Sequence, residues 1–210
     1  MKKTVLALCF LLSLCLLCGC RATKGVKTAQ VVLFGDELLG DQRDFLLRWE
    51  SPILLAFEDV PAEEQADALA FLAEVAGFAP RLPQVSVAGD EAEANVVIVY
   101  RLYADLKEMA GPNFGLCRYE YADREMTGAR IWIASDTTTW AQRRHLIREE
   151  MLHALGLTCD QDDDSTSLLF SGWTETTELS SLDRELLAFL YGDAAYSGMN
   201  VSEFRKTYGK

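Results

Sequence analysis

Both histidines of this 210-residue chain fall on one segment, R-H-L-I-R-E-E-M-L-H-A-L-G-L, Arg144 to Leu157. Apolar residues at Ile147, Met151 and Leu155 recur at helical spacing, so the segment reads as part of a long helix from about Thr138 to Leu155 with a buried stripe. The opposite face would carry Arg144, His145, Arg148 and Glu149 into solvent. Residues four apart share a helix face, so Glu149 and His153 project side by side, with Glu150 next to them. Gly156 lets the chain leave the helix in a left-handed turn and fold back toward those side chains. A helix of this kind needs a sheet to lie on, and the rest of the chain is read for one.

The segment Phe45 to Phe57 reads as a strand with Pro52 at a kink or edge. Pro61 to Gly77 reads as a helix, with proline in its first turn and glycine at its end. Val85-Ser86-Val87 and Ala94 to Leu102 give two further strands. Cys117 to Tyr121 and Ala129 to Ala134 form a hairpin through Asp123–Gly128. After the long helix come an acidic loop (Asp160 to Asp164), the run S-L-L-F, and a helix from Ser180 to Tyr191, with Ser180 and Asp183 at capping-box spacing. The order of strand, helix, several strands and two helices implies an α+β fold.

The first twenty residues read as targeting. Lys2 and Lys3 precede an apolar run from Val5 to Leu17, too short to span a bilayer. The run ends L-C-G-C and resembles the bacterial lipobox, which implies cleavage after Gly19 and a lipid on Cys20. Residues 1–19 are then a lipoprotein signal peptide, 20–30 a polar tether and 31–210 one domain. The expected location is the cell envelope, on a membrane. Arg21, rather than an aspartate, follows the lipid-bearing cysteine, the pattern of outer-membrane sorting toward the periplasm. Removing Lys2 and Lys3 takes the formal charge from −12 to −14, which argues against nucleic acid as a partner.

The downstream residues carry a resemblance. H-A-L-G-L, a polar loop, S-L-L-F and L-S-S-L-D-R-E-L-L-A-F-L-Y-G resemble the C-terminal half of a matrixin-type metzincin. The whole of Leu47 to Tyr208 resembles a bacterial family of zincin-related envelope proteins. The markers are E-E-x-x-x-A-L-G-L at Glu149–Leu157, L-S-x-x-D-R-x-L-L-x-x-L-Y at Leu179–Tyr191, and Gly198-Met199. The resemblance implies a zincin-like domain: a mixed twisted sheet packed on an N-terminal helix and the long zinc-type helix, plus a C-terminal helix. It makes Ala94 to Arg101 the edge strand on which substrate is laid, and Ala129 to Ala134 the strand before the zinc helix.

Carried over position by position, the resemblance puts the first zinc ligand at Glu149, the base at Glu150, the second ligand at His153 and the third at Cys159 or Asp160. Leu169 or Phe170 takes the place of the turn methionine. Zinc accepts carboxylate oxygen as well as imidazole nitrogen, at roughly 2.0–2.2 Å, but two anionic ligands weaken it as a Lewis acid toward bound water. Cys117 and Cys159 are the cysteines left after processing, and two cysteines in an oxidising compartment pair. Cys159 cannot be both ligand and disulfide partner, and the disulfide is the favoured reading. The acidic loop is a second cation candidate, for calcium. Three functional readings follow, one of them a structural lipoprotein with no functional cleft. A second is a lipoprotein with a degenerate zinc site and a non-catalytic binding role. The third is a metal-dependent peptidase or amidase, acting on envelope protein or cell-wall peptide with these unusual ligands. The partners expected are the membrane through the lipid, and an envelope protein or peptide.

Overall fold

The computed structural model describes residues 25–36 and 40–208. The signal peptide and Cys20 lie outside the described residues. In order, the elements are a helix over residues 25–34 (α1), the short strands β1 (Gly35–Asp36) and β2 (Asp41–Gln42), β3 (Ile53–Glu58), α2 (Ala62–Phe78), β4 (Val85–Val87), β5 (Val96–Arg101), α3 (Tyr103–Ala110), β6 (Gly115–Ala122), β7 (Glu125–Ala134), α4 (Trp140–Ala154), α5 (Ser181–Leu190) and α6 (Val201–Tyr208).

Five strands make one sheet in the order β4-β3-β5-β7-β6. The first four run parallel; β6 closes one edge antiparallel to β7. The mixed α+β class is therefore as expected. The strand taken from the resemblance as the substrate edge is not an edge. Residues Val96 to Tyr100 are all buried, and β5 pairs with β3 and β7. An unbroken V-V-I-V-Y run suits a strand covered on both faces. The edge is β6, whose second half is mostly exposed. The hairpin joining it to β7 turns at Asp123 and Arg124, both with positive φ, as a tight right-twisting hairpin requires.

One face of the sheet packs on α2 and α4. Leu55, Ile98, Ile131 and Ile133 from the strands meet Phe71, Val75, Leu146, Met151 and Leu152 in a single core. The other face carries a small cluster of Ala56, Val97 and Val99, and α3 covers part of it with Leu106. That helix escapes a sequence reading because Leu106 is its one buried residue.

Two further expectations change. Of the proposed Phe45–Phe57 strand only Ile53–Phe57 enters the sheet, in a strand that runs on to Glu58. The preceding residues are extended, but their backbone groups pair with loops. Leu46 N–H donates to Met199 O and Gly198 N–H to Leu46 O, while the Trp49 side chain donates its indole N–H to Ala154 O of the helix Trp140–Ala154. Residues 25–34, of which 25–30 were expected in the polar tether, are helical. Ala29, Val32, Leu33 and Phe34 are fully buried, and Phe34 packs at a tilt against Phe204 of α6 with ring centroids 5.3 Å apart.

Candidate functional site

The helix α4 begins with a capping box in which Thr139 and Gln142 satisfy each other's backbone N–H groups. It ends in a Schellman turn. Gly156 takes φ +104°, Leu157 N–H reaches back to Leu152 O at 3.1 Å, and Gly156 N–H to His153 O at 3.0 Å. A Cβ at position 156 would meet Leu47 O at 2.5 Å, so glycine is required there by conformation and by space. This turn sends residues 157–160 back alongside the last turn of the helix.

The expected solvated face of α4 does not exist. His145 and Arg148 are both buried, as are Glu150 and His153. The helix instead divides its polar residues between two sides. Arg143 pairs with buried Glu64 at 2.6 Å, and Arg144 and Arg148 both reach Asp67 at 3.0 Å, all on α2. Glu64 also accepts the phenol proton of Tyr100. On the other side His145, Glu149, Glu150 and His153 line a cleft of about 270 Å³.

Both histidines are held by the same device. His145 Nδ1 lies 2.7 Å from Thr176 O, and His153 Nδ1 lies 2.6 Å from Leu157 O. A carbonyl can only accept, so Nδ1 carries the proton in each ring and Nε2 turns toward the carboxylates. Nε2 of His145 is 3.6 Å from Glu149 Oε2, and Nε2 of His153 is 3.4 Å from Asp160 Oδ1. Asp160 Oδ1 is buried and makes no hydrogen bond. Burial lowers the pKa of His145, against the Thr176 carbonyl and the charges of Asp160 and Glu175. Desolvation of the charged form wins, and the ring stays neutral at pH 7.

Glu150 lies beneath the edge strand. A methyl group at Gly115, the first residue of β6, would approach its Oε1 to 2.5 Å. Gly115 is thus the residue that lets the strand cross the carboxylate. A second cavity of about 210 Å³ shares Asn113, Gly115, Glu150 and His153 with the first and continues along β6 past Cys117 and Tyr119. The floor on the other side is the S-L-L-F run. Buried Asp183 accepts from Ser167 Oγ at 2.5 Å, Leu168 N at 3.1 Å and Ser180 N at 2.8 Å, and so pins that turn while capping α5. Leu168 and Leu169 are fully buried below, and Phe170 faces the cleft.

Glu149, Glu150, His153 and Asp160 are therefore brought together. Cys159 is not with them. Its Cβ and Sγ occupy the space beside Gly35, where an added Cβ would lie 2.6 and 2.8 Å from them. The third-ligand position falls to Asp160. Nor does a disulfide join Cys117 to Cys159. Cys117 faces the second cavity with Thr158, while its neighbour Cys159 points away toward the start of β1. The acidic loop is not a cation cage. Asp163 accepts from Thr28 and Asp162 from Ser171, and Asp164 takes Thr166 Oγ1 at 2.7 Å, so its carboxylates serve three separate hydroxyls.

The cleft does not fit a zinc ion as it stands. Its imidazoles and carboxylates form two separate pairs, His145 with Glu149 and His153 with Asp160. Among the described residues no three His, Cys, Asp or Glu side chains converge as a metal-holding group. His145, Gly115, Phe114 and Trp173 are the site residues that sequence reasoning missed. Only the i, i+4 spacing of His145 and Glu149 could have signalled the first.

The fold and the site define a mixed α+β domain with a histidine–carboxylate cleft under the edge strand of its sheet. The chain belongs to the DUF2927 family, described as a protein of unknown function, whose model matches residues 30–208. Among solved structures, that of myroilysin is similar to it at 12% identity, with a TM-score of 0.43 over 69% of this chain and 95% of that one. No curated protein matches the chain.

Proposed function

We propose that this is a lipid-anchored protein of the cell envelope, facing the periplasm from the outer membrane. Its zincin-like domain holds a segment of another envelope protein or peptide in the cleft without hydrolysing it. The observation that carries this reading is the division of the cleft's polar residues into two histidine–carboxylate pairs. A hydrolase of the zincin kind needs three ligands on one point; among the described residues no three His, Cys, Asp or Glu side chains converge on one. The edge strand β6 runs along both cavities, which suits an extended peptide added to the sheet. The lipid reading rests on the L-C-G-C run at Leu17–Cys20.

The test is an incubation of the mature chain with a mixed peptide library and added zinc, followed by mass analysis. Intact peptides, some retained by the protein, are expected. Cleavage that disappears in Glu150→Gln would overturn the reading. For the anchor, Cys20→Ser is expected to abolish lipid mass and membrane association; unchanged membrane association and mass would remove the lipid reading.

The alternative, a metal-dependent peptidase or amidase, is favoured by one observation. Both histidines have Nδ1 tied to a backbone carbonyl and Nε2 toward the cleft, the orientation that metal-bound imidazoles share. That reading requires Glu149 to leave His145.

A further inference from the structure

We infer that the sheet face turned away from α2 and α4 holds a second site, for a small organic acid with one carboxylate on an apolar body. None of the cleft's histidines or carboxylates lines it, and it stands independently of the role proposed above. On this face α3 covers the end at Leu116, Trp132 and Ala134. Beside that end lies a pocket of about 510 Å³, with Arg118, Glu120, Arg130 and Trp132 in its lining, a size that suits a small ligand. Its two arginines are direct neighbours, because Arg118 of β6 stands opposite Arg130 of β7 in the ladder. Like charges facing each other across strands cost stability, and an anion seated between them offsets that cost.

The two arginines have different surroundings. Arg130 is held by Glu58 at 3.0 Å, and Glu58 also takes Arg101. Arg118 is exposed, and among the described residues the group it meets is the Trp132 ring, 5.8 Å from the guanidinium to the ring centroid. A guanidinium packed over an indole keeps its N–H edge for a carboxylate, which it grips with two parallel hydrogen bonds. Arg118 is thus the gripping group, and Arg130 the fixed charge beside it. The rest of the lining includes Ala94, Val97, Gly128 and Ala129, small apolar residues that suit the body of the acid. The charges nearby set the valence of the ligand. Glu120 lines the pocket and Glu58 borders it through Arg130. A phosphate dianion would face those two carboxylates with twice the charge of a monocarboxylate. A neutral analogue would leave the arginine pair unanswered, and a cation would be repelled by it.

The experiment titrates the mature chain in detergent with benzoate, benzamide and inorganic phosphate, followed by calorimetry. Benzamide keeps the shape of benzoate and lacks the charge. Benzoate is expected to bind at least tenfold more tightly than benzamide, and more tightly than phosphate. Arg118→Gln, a change at an exposed position, should lower benzoate affinity at least tenfold and keep the wild-type melting temperature. Glu120→Gln should raise benzoate affinity about threefold or more, a gain that a purely structural role for this face would not produce. Equal affinity for benzoate and benzamide overturns the inference, as does tighter binding of phosphate or failure of all three probes to bind. Benzoate binding that survives in Arg118→Gln and is unmoved in Glu120→Gln places the acid elsewhere and overturns it too.

Discussion

The two polar sides of α4 are built from similar residues and do opposite things. Toward α2, each arginine meets a carboxylate: Arg143 with Glu64, Arg144 and Arg148 with Asp67. The guanidinium–carboxylate pairs are close, and Tyr100 supplies a further proton to Glu64. Toward the cleft, carboxylates stand 3.4 and 3.6 Å from imidazole nitrogens, and the lining contains neither lysine nor arginine among the described residues. One side is complementary within the fold and serves stability. The other gathers Glu149, Glu150 and Asp160 around an open cleft, which suits a surface made for a ligand.

Removing a partner on the first side should therefore cost most. Arg143→Ala leaves Glu64, which is almost fully buried, with only Tyr100, and is expected to destabilise the domain by about 3 kcal/mol in denaturant unfolding. A loss under about 1 kcal/mol would mean that Glu64 is readily rehydrated, and the contrast would weaken. Next comes Asp183→Ala, which strips the cap from α5 and the pin from the S-L-L-F turn. About 2 kcal/mol is expected, since buried donors lose their acceptor. Peptide retention should fall with it, because the turn that carries Phe170 into the cleft is loosened.

On the cleft side the sign should differ. Glu149→Gln keeps the shape and removes a charge that lines the cleft. Its stability is expected within about 0.5 kcal/mol of wild type, or slightly higher, while peptide binding weakens. A loss of 2 kcal/mol or more would make Glu149 a structural residue and erase the distinction.

The smallest effect is in the pH dependence. The pKa of His145 is lowered in the folded state, so its contribution to stability is present above the ordinary histidine value near 6.5 and is lost as pH falls through the folded value. Stability measured between pH 7 and 5 should fall in wild type, and His145→Asn should flatten that part of the curve. An unchanged slope would show that the ring is not held neutral.

Much of this architecture is legible in the chain itself. Pro61 fixed the start of α2, Thr139 lies one residue from the expected start of α4, and the Ser180–Asp183 spacing placed α5, because caps and turn residues act locally. The central position of β5 is also written in its V-V-I-V-Y run, although resemblance to another family's edge strand pulled the reading the wrong way. What sequence could not give is set by long-range packing. Phe45 to Glu50 looks like strand by composition, yet its backbone partners are Met199 and the C-terminal loops. His145 looked solvated because Arg144 and Arg148 beside it are charged; Asp67 on α2 draws those two inward, and Trp173 and Thr176 cover His145 on the other side. Cys117 and Cys159 were the natural pair by elimination, but the direction of one side chain at Cys159 decides otherwise. The cleft's roof is a similar case. Gly115 and Trp173 carry no motif, and their roles exist only once β6 crosses Glu150 and residue 173 comes to rest against Phe114.

The central claim is that the cleft's charge is arranged for a ligand other than a tightly held metal ion. Zinc titration of the purified mature chain by calorimetry, with metal analysis after dialysis, tests it most directly. The account predicts no stoichiometric zinc after dialysis and no saturable uptake at micromolar zinc, in wild type and in His153→Ala alike. One zinc per chain in the wild type, lost in His153→Ala, would contradict it.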